Sequence, residues 1–184
     1  MDFFASVWRN VFSLPLFRAQ EQLTPLASLS IPVATRSDFE SRLSQLDALI
    51  KSIDVPDRLV DAGDPNVKGD MTLNRLDSAL KIRLGEASPD YSAATKAIRE
   101  LRKLNDLRVA VQHPHTSRKD LPSALSAMNL PFPPDWPLAW NHLRHVVIAS
   151  LRDLRLALAA NREAPLGGSG SRRGNGAEVS AIHE

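Results

Sequence analysis

The stretch 88–115, SPDYSAATKAIRELRKLNDLRVAVQHPH, leaves room for little besides a long helix. Ser88 offers an oxygen to the free N–H groups of a first turn. Pro89 has no N–H to lose and a φ suited to the first helical position, and Asp90 faces the positive end of the helix dipole. Tyr91, Ala94, Ile98, Leu101 and Leu104 then recur every three or four residues, the spacing of one buried face. Continuing that spacing reaches Arg108 and then Val111, so a cation stands where the pattern asks for an apolar side chain. Pro114 disfavours helical geometry in the residue before it. The helix is therefore expected to end near His113, where a cationic imidazole suits the dipole.

The rest of the chain supplies neighbours of the same kind. Ser37-Asp-Phe-Glu40 reads as a capping box, and Phe39, Leu43, Leu46, Ile50 and Ile53 follow as a packing seam. Asp70 is expected to cap a helix carrying Leu73, Leu76, Leu80 and Leu84 on one face, with Gly85 as its stop. The short turn that follows predicts an antiparallel hairpin with the long helix. Asp120 is placed to cap a short helix through Met128. A last helix over 137–161 carries Trp140, Leu143, Val147, Leu151, Leu154 and Leu158 on an unbroken apolar face. Between these two, the proline-rich run 130–137 places Phe132 and Trp136 as plugs for the bundle end. No alternating strand pattern of useful length occurs.

The expected fold is therefore all-α: a bundle of about four principal helices at 37–53, 71–85, 89–113 and 137–161. An apolar N-terminal segment and irregular connector fill 1–35, the bundle domain runs over 36–162, and a disordered Gly/Ser/Arg tail over 163–184. The N-terminal run MDFFASVWRNVFSLPLF has Phe4, Val7, Trp8, Val11 and Phe12 at helical spacing. It is too short and too interrupted by Arg9, Pro15 and Arg18 to span a bilayer, and it lacks the basic start and cleavage site of a secretory signal. Docking on the protein's own core or on a partner is the preferred reading, with membrane-surface attachment through residues 1–17 behind it.

Cysteine is absent, which excludes disulfides, thiolate metal sites and a cysteine nucleophile, and a cytoplasmic setting is expected. The formal net charge of +2 is too small to argue for nucleic acid by itself. The aspartates at 54, 57, 61, 64 and 70 lack the glycine and glutamate of a calcium loop, and the run VKGD lacks the flanking residues of a phosphate loop. His142 and His145 are three apart, without a carboxylate-rich partner helix to complete a metal site. No metal and no cofactor is expected. Arg144 and Arg155 fit the wall of a groove for an acidic partner.

Arg108 is the residue that asks for chemistry. An unpaired charge on a core-facing stripe is costly, so it requires a carboxylate on a neighbouring helix, a route to water along its stem, or a cleft. LNDLRVAVQH, with Arg108 followed by four residues and then His113, resembles the Arg-x4–6-His motif of HEPN domains, and the interval from Arg108 to His115 fits the longer spacing. Val109 stands where that family often carries Asn. The likeness covers roughly 72–160 as architecture and only a few residues as motif. HEPN domains are all-α bundles, typically dimeric, and many are metal-independent ribonucleases of toxin or antiphage systems.

The resemblance implies that Arg108 holds a scissile phosphate and that His113, with His115, works as general acid or base near neutral pH. Arg118 and Lys119, in the polar loop that follows, are the natural second phosphate contacts. RNA or a nucleotide, and a second copy of the chain, are the partners this reading calls for. The other reading of the same residues is a non-catalytic helical interaction domain, possessing a structural Arg108 and docking on a protein partner as part of a larger assembly.

Overall fold

The computed structural model describes residues 2–17, 29–67, 71–113 and 120–160. Six α-helices are formed among them: α1 (Asp2–Phe12), α2 (Arg36–Lys51), α3 (Thr72–Leu84), α4 (Pro89–Gln112), α5 (Leu121–Ala127) and α6 (Trp136–Ala160). Single 3-10 turns at Asp57–Leu59 and Pro65–Val67 link α2 to α3. No strand is present among the described residues; an isolated bridge joins Phe17 to Ile53. The architecture is the expected all-α one.

The long helix α4 is the centre of the bundle. It packs most extensively on α6, then on α3, α2 and α5. Its start follows the sequence: Ser88 Oγ accepts from Asp90 N at 3.1 Å, with Pro89 at the first helical position. Its buried face comprises Ala94, Ala97, Ile98, Leu101, Leu104, Leu107, Ala110 and Val111. Tyr91, at the head of the expected stripe, is only half-buried. Gly85 ends α3 with φ +81, a conformation L side chains rarely adopt, and turns the chain into α4.

Residues 2–17 are part of the same core. Phe4 and Trp8 are buried, and α1 lies along α6. Trp8 sits edge-on to Phe4 at 6.3 Å and tilted over Phe12 at 4.3 Å. Ser13, at φ 57, ends the helix. Burying an indole of this size is worth about 4 kcal/mol as an upper figure from area alone, enough to hold one short helix in place.

Three local expectations need correction. The capping box of α2 is Thr35 with Asp38, not Ser37 with Glu40: Thr35 Oγ1 accepts from Asp38 N, and one Asp38 oxygen accepts from Thr35 N and Ala34 N at 3.0 and 3.2 Å. Two overlapping boxes compete here, and the earlier one satisfies more N–H groups. Its carboxyl is held below the usual range by the Thr35 bonds, and Glu40 pairs with Arg36 instead. Met71 occupies the N-cap of α3 with no side-chain cap, and Asp70 lies outside the described residues. Phe132 is 60% exposed and plugs nothing. Met128 and Leu130 are buried and Trp136 covers Phe39 at 5.0 Å, so that end is closed without it. Asp120 and Asp135 cap α5 and α6 through Ser123 N and Leu138 N. The tail expected from residue 163 lies outside the described residues.

Candidate functional site

The end of α4 that carries Arg108 lies against α2, and a row of polar contacts stitches the two. Arg36 donates to the Val111 carbonyl at 3.3 Å. The Gln112 amide donates to the Ser44 hydroxyl, which in turn donates to the Glu40 carbonyl at 2.8 Å. One turn further along α2, Asp47 Oδ2 meets Arg108 Nε at 3.4 Å and Lys51 Nζ at 2.7 Å. Ser44, Asp47 and Lys51 recur at three and four residues, so a single face of α2 presents them all.

Asp47 is the buried member, 6% exposed, whereas the Arg108 side chain is 27% exposed and that of Lys51 53%. A carboxylate taken out of water requires charge compensation, and two cations supply it. The three groups together keep one net positive charge. The Arg108 contact is made through Nε and is longer than a normal hydrogen bond, so it is chiefly electrostatic. It leaves the two terminal nitrogens, the pair that grips a phosphate or carboxylate fork, outside that contact.

His113 closes the helix as its C-cap, with φ −128 and ψ 58, and its N–H donates to the Val109 carbonyl at 2.9 Å. The residue is exposed. The helix is regular to Gln112, so Arg108 and His113 point about 140° apart around the axis. Arg108 thus turns toward α2, and His113 stands at the open end. His115, Arg118 and Lys119 lie outside the described residues.

Sequence reasoning found Arg108 and His113 but missed Asp47, Lys51 and Ser44. The signal was present: Asp47 directly follows Leu46 within the Leu43–Leu46–Ile50 seam, an ionisable group on a packing arc. It also missed a second polar cluster between α3 and α4. Asp77 accepts from Tyr91 at 3.2 Å, Thr95 at 3.4 Å and Arg102 at 3.0 Å, and Arg102 also donates to Asn74 at 3.0 Å. Asn74, Asp77, Tyr91 and Arg102 border a polar cavity of about 350 Å³ with Lys81. Burial pushes the Tyr91 phenol above its ordinary value, and the Asp77 charge adds to the shift. The cluster reads as a clamp on the α3–α4 hairpin.

His142 is half-buried and His145 exposed. No group of three metal-ligating side chains occurs among the described residues, and no helix among them is long and apolar enough to cross a membrane. Comparison with protein-family models, curated proteins and solved structures finds no match for this chain.

Proposed function

We propose that the chain is a HEPN-like helical domain that engages an RNA or nucleotide phosphate at the α2–α4 seam, in the cytoplasm. In its active form it is a metal-independent endoribonuclease of a toxin or defence system. The observation that supports this reading is the manner in which Asp47 holds Arg108. The buried carboxylate fixes the guanidinium by Nε, and the surplus positive charge of the cluster attracts an anion to the terminal nitrogens.

In the reaction, an RNA 2′-oxygen forms a bond to the adjacent phosphorus as the P–O5′ bond breaks. A histidine, His113 or His115, takes the 2′-hydroxyl proton, and the 5′-oxygen leaves with the bonding pair and takes a proton from water. Arg108 offsets the negative charge that builds on the phosphoryl oxygens. Because Arg108 and His113 diverge on one helix, the histidine of a second copy completes the site, so the active species is a dimer.

The test is cleavage of a mixed RNA pool in EDTA by wild type, Arg108→Ala, His113→Ala and His115→Ala. Cleavage by wild type, lost in Arg108→Ala and in His113→Ala or, if His115 is the base, in His115→Ala, while helical circular dichroism persists, supports the ribonuclease. A second reading, a non-catalytic helical interaction domain, rests on the same ion pair. There Arg108 serves α2–α4 packing alone, wild type cleaves nothing, and Arg108→Ala melts early.

A further inference from the structure

Away from the Arg108 site, α1 and α2 meet one side of α6 and leave a groove of about 520 Å³ between them. Its floor is apolar: Phe4, Leu46, Leu49, Trp140, Val147 and Leu151, all buried. Its lip carries Phe3 and Ile148, which are 75% and 60% exposed. Arg144, Arg152 and Arg155 line it from α6, Leu29 and Ser30 from the connector, and none of the lining residues is acidic. Arg155 lies over the Phe3 ring at 5.7 Å, which ties the arginine row to α1.

Arg144, Ile148, Arg152 and Arg155 follow one another at four, four and three residues, so they form one stripe along α6. That stripe is about 16 Å long, or three helical turns. Asp153, outside the lining, stands 3.4 Å from Arg152, so the row keeps a surplus of positive charge rather than three unopposed cations. That surplus, spread along a trench, calls for a ligand whose negative charges are spread in the same way. A fatty acid or nucleotide concentrates its charge at one end. An amphipathic helix repeats carboxylates and apolar side chains with the period of α6 itself. A second copy of this chain would set arginine against arginine, and a bilayer surface does not enter a recessed floor.

We propose that this groove docks an acidic amphipathic helix of a partner protein. Apolar side chains at i, i+3, i+4 and i+7 of the partner fill the floor between Phe4 and Leu151. Its flanking Asp and Glu side chains pair with Arg144, Arg152 and Arg155. The site is separate from the Arg108 seam and stands whether or not the chain cleaves RNA.

The experiment is a fluorescence-anisotropy titration of the full chain with a labelled synthetic peptide of about four helical turns, with Leu at i, i+3, i+4 and i+7 and Glu on the flanks. Saturable micromolar binding is expected, weakening as salt rises. Arg152→Glu with Arg155→Glu, and separately Ile148→Asp, are each expected to weaken it at least about tenfold at unchanged helical circular dichroism. Ile148 and Arg152 are exposed and Arg155 is half-buried over Phe3, so none of these changes removes a buried core side chain. Absence of saturable binding by wild type overturns the proposal. So does equal affinity for the doubly charge-reversed variant, or for a proline-interrupted peptide of the same composition. Self-association abolished by Ile148→Asp, or capture by anionic phosphatidylglycerol vesicles without peptide binding, would assign the groove to another occupant and overturn it equally.

Discussion

Replacing Asp47 with alanine removes the carboxylate that Lys51 and Arg108 share. The Lys51 contact, at 2.7 Å, has the geometry of a strong charge-assisted bond, but its ammonium is half in water and much of that strength is screened. A value of about 0.5–1 kcal/mol is appropriate for it. The Arg108 contact is longer, yet its cation is more buried than Lys51, and about 1 kcal/mol is expected from it. Loss of a buried side chain and an under-compensated Arg108 bring the expected destabilisation to about 2–3 kcal/mol. For a chain of this size that corresponds to a fall in melting temperature of about 5–10 °C. Asp47→Asn keeps the volume and one acceptor and is expected to cost about half as much.

Urea denaturation of wild type, Asp47→Ala, Arg108→Ala and the double variant closes a cycle. The coupling between the two sites is expected at about 1 kcal/mol. Strict additivity, or an Asp47→Ala effect below about 0.5 kcal/mol, would refute the argument that this carboxylate holds Arg108 in place.

Three further outcomes follow from the geometry. Tyr91 is the chain's one tyrosine, so phenolate absorbance reports it alone; its midpoint in the folded chain should lie above that in denaturant. A raised phenol favours the neutral form, so its contribution to stability is present below the ordinary value near pH 10 and is lost as pH rises through the folded one; coincident midpoints would contradict this. Gly85→Ala meets no steric neighbour but forces alanine to φ +81, and calorimetry should show a loss of about 1–3 kcal/mol. Trp8→Ala should cost about 3–5 kcal/mol in urea denaturation, and a loss below about 1 kcal/mol would show that α1 is not docked on the core.

The helices were readable because each carries a periodic face and a terminus signal of its own. Ser88 with Pro89, Asp120 and Gly85 behave as local chemistry requires, since their partners lie within a few residues. Where two local solutions overlapped, as at Thr35 and Ser37, the spacing did not rank them; the number of N–H groups satisfied did. Phe132 shows the limit of composition: an aromatic residue beside a core helix stays outside when its neighbours already fill the end.

For the site, Arg108 was legible as a charge in need of a partner. Asp47 was not identified as that partner, because cross-helix pairing depends on the angle and register at which α2 crosses α4, and neither helix encodes these alone. Arg144 and Arg155 were legible as a groove wall, and Arg152 was not. That the other wall includes Phe3 and Phe4 of α1 followed only once the N-terminal helix was seen to pack on α6.

The affinity of the full chain for a short single-stranded RNA, measured at fixed ionic strength for wild type, Arg108→Ala and Arg108→Lys, bears most directly on the proposed function. If Arg108 holds a phosphate by its fork, alanine weakens binding by about 10–100-fold with helical circular dichroism intact. Lysine restores only part of it, as a point charge in place of the fork. Equal affinity of wild type and Arg108→Ala, or no affinity of the wild type at all, would contradict a phosphate site at this arginine.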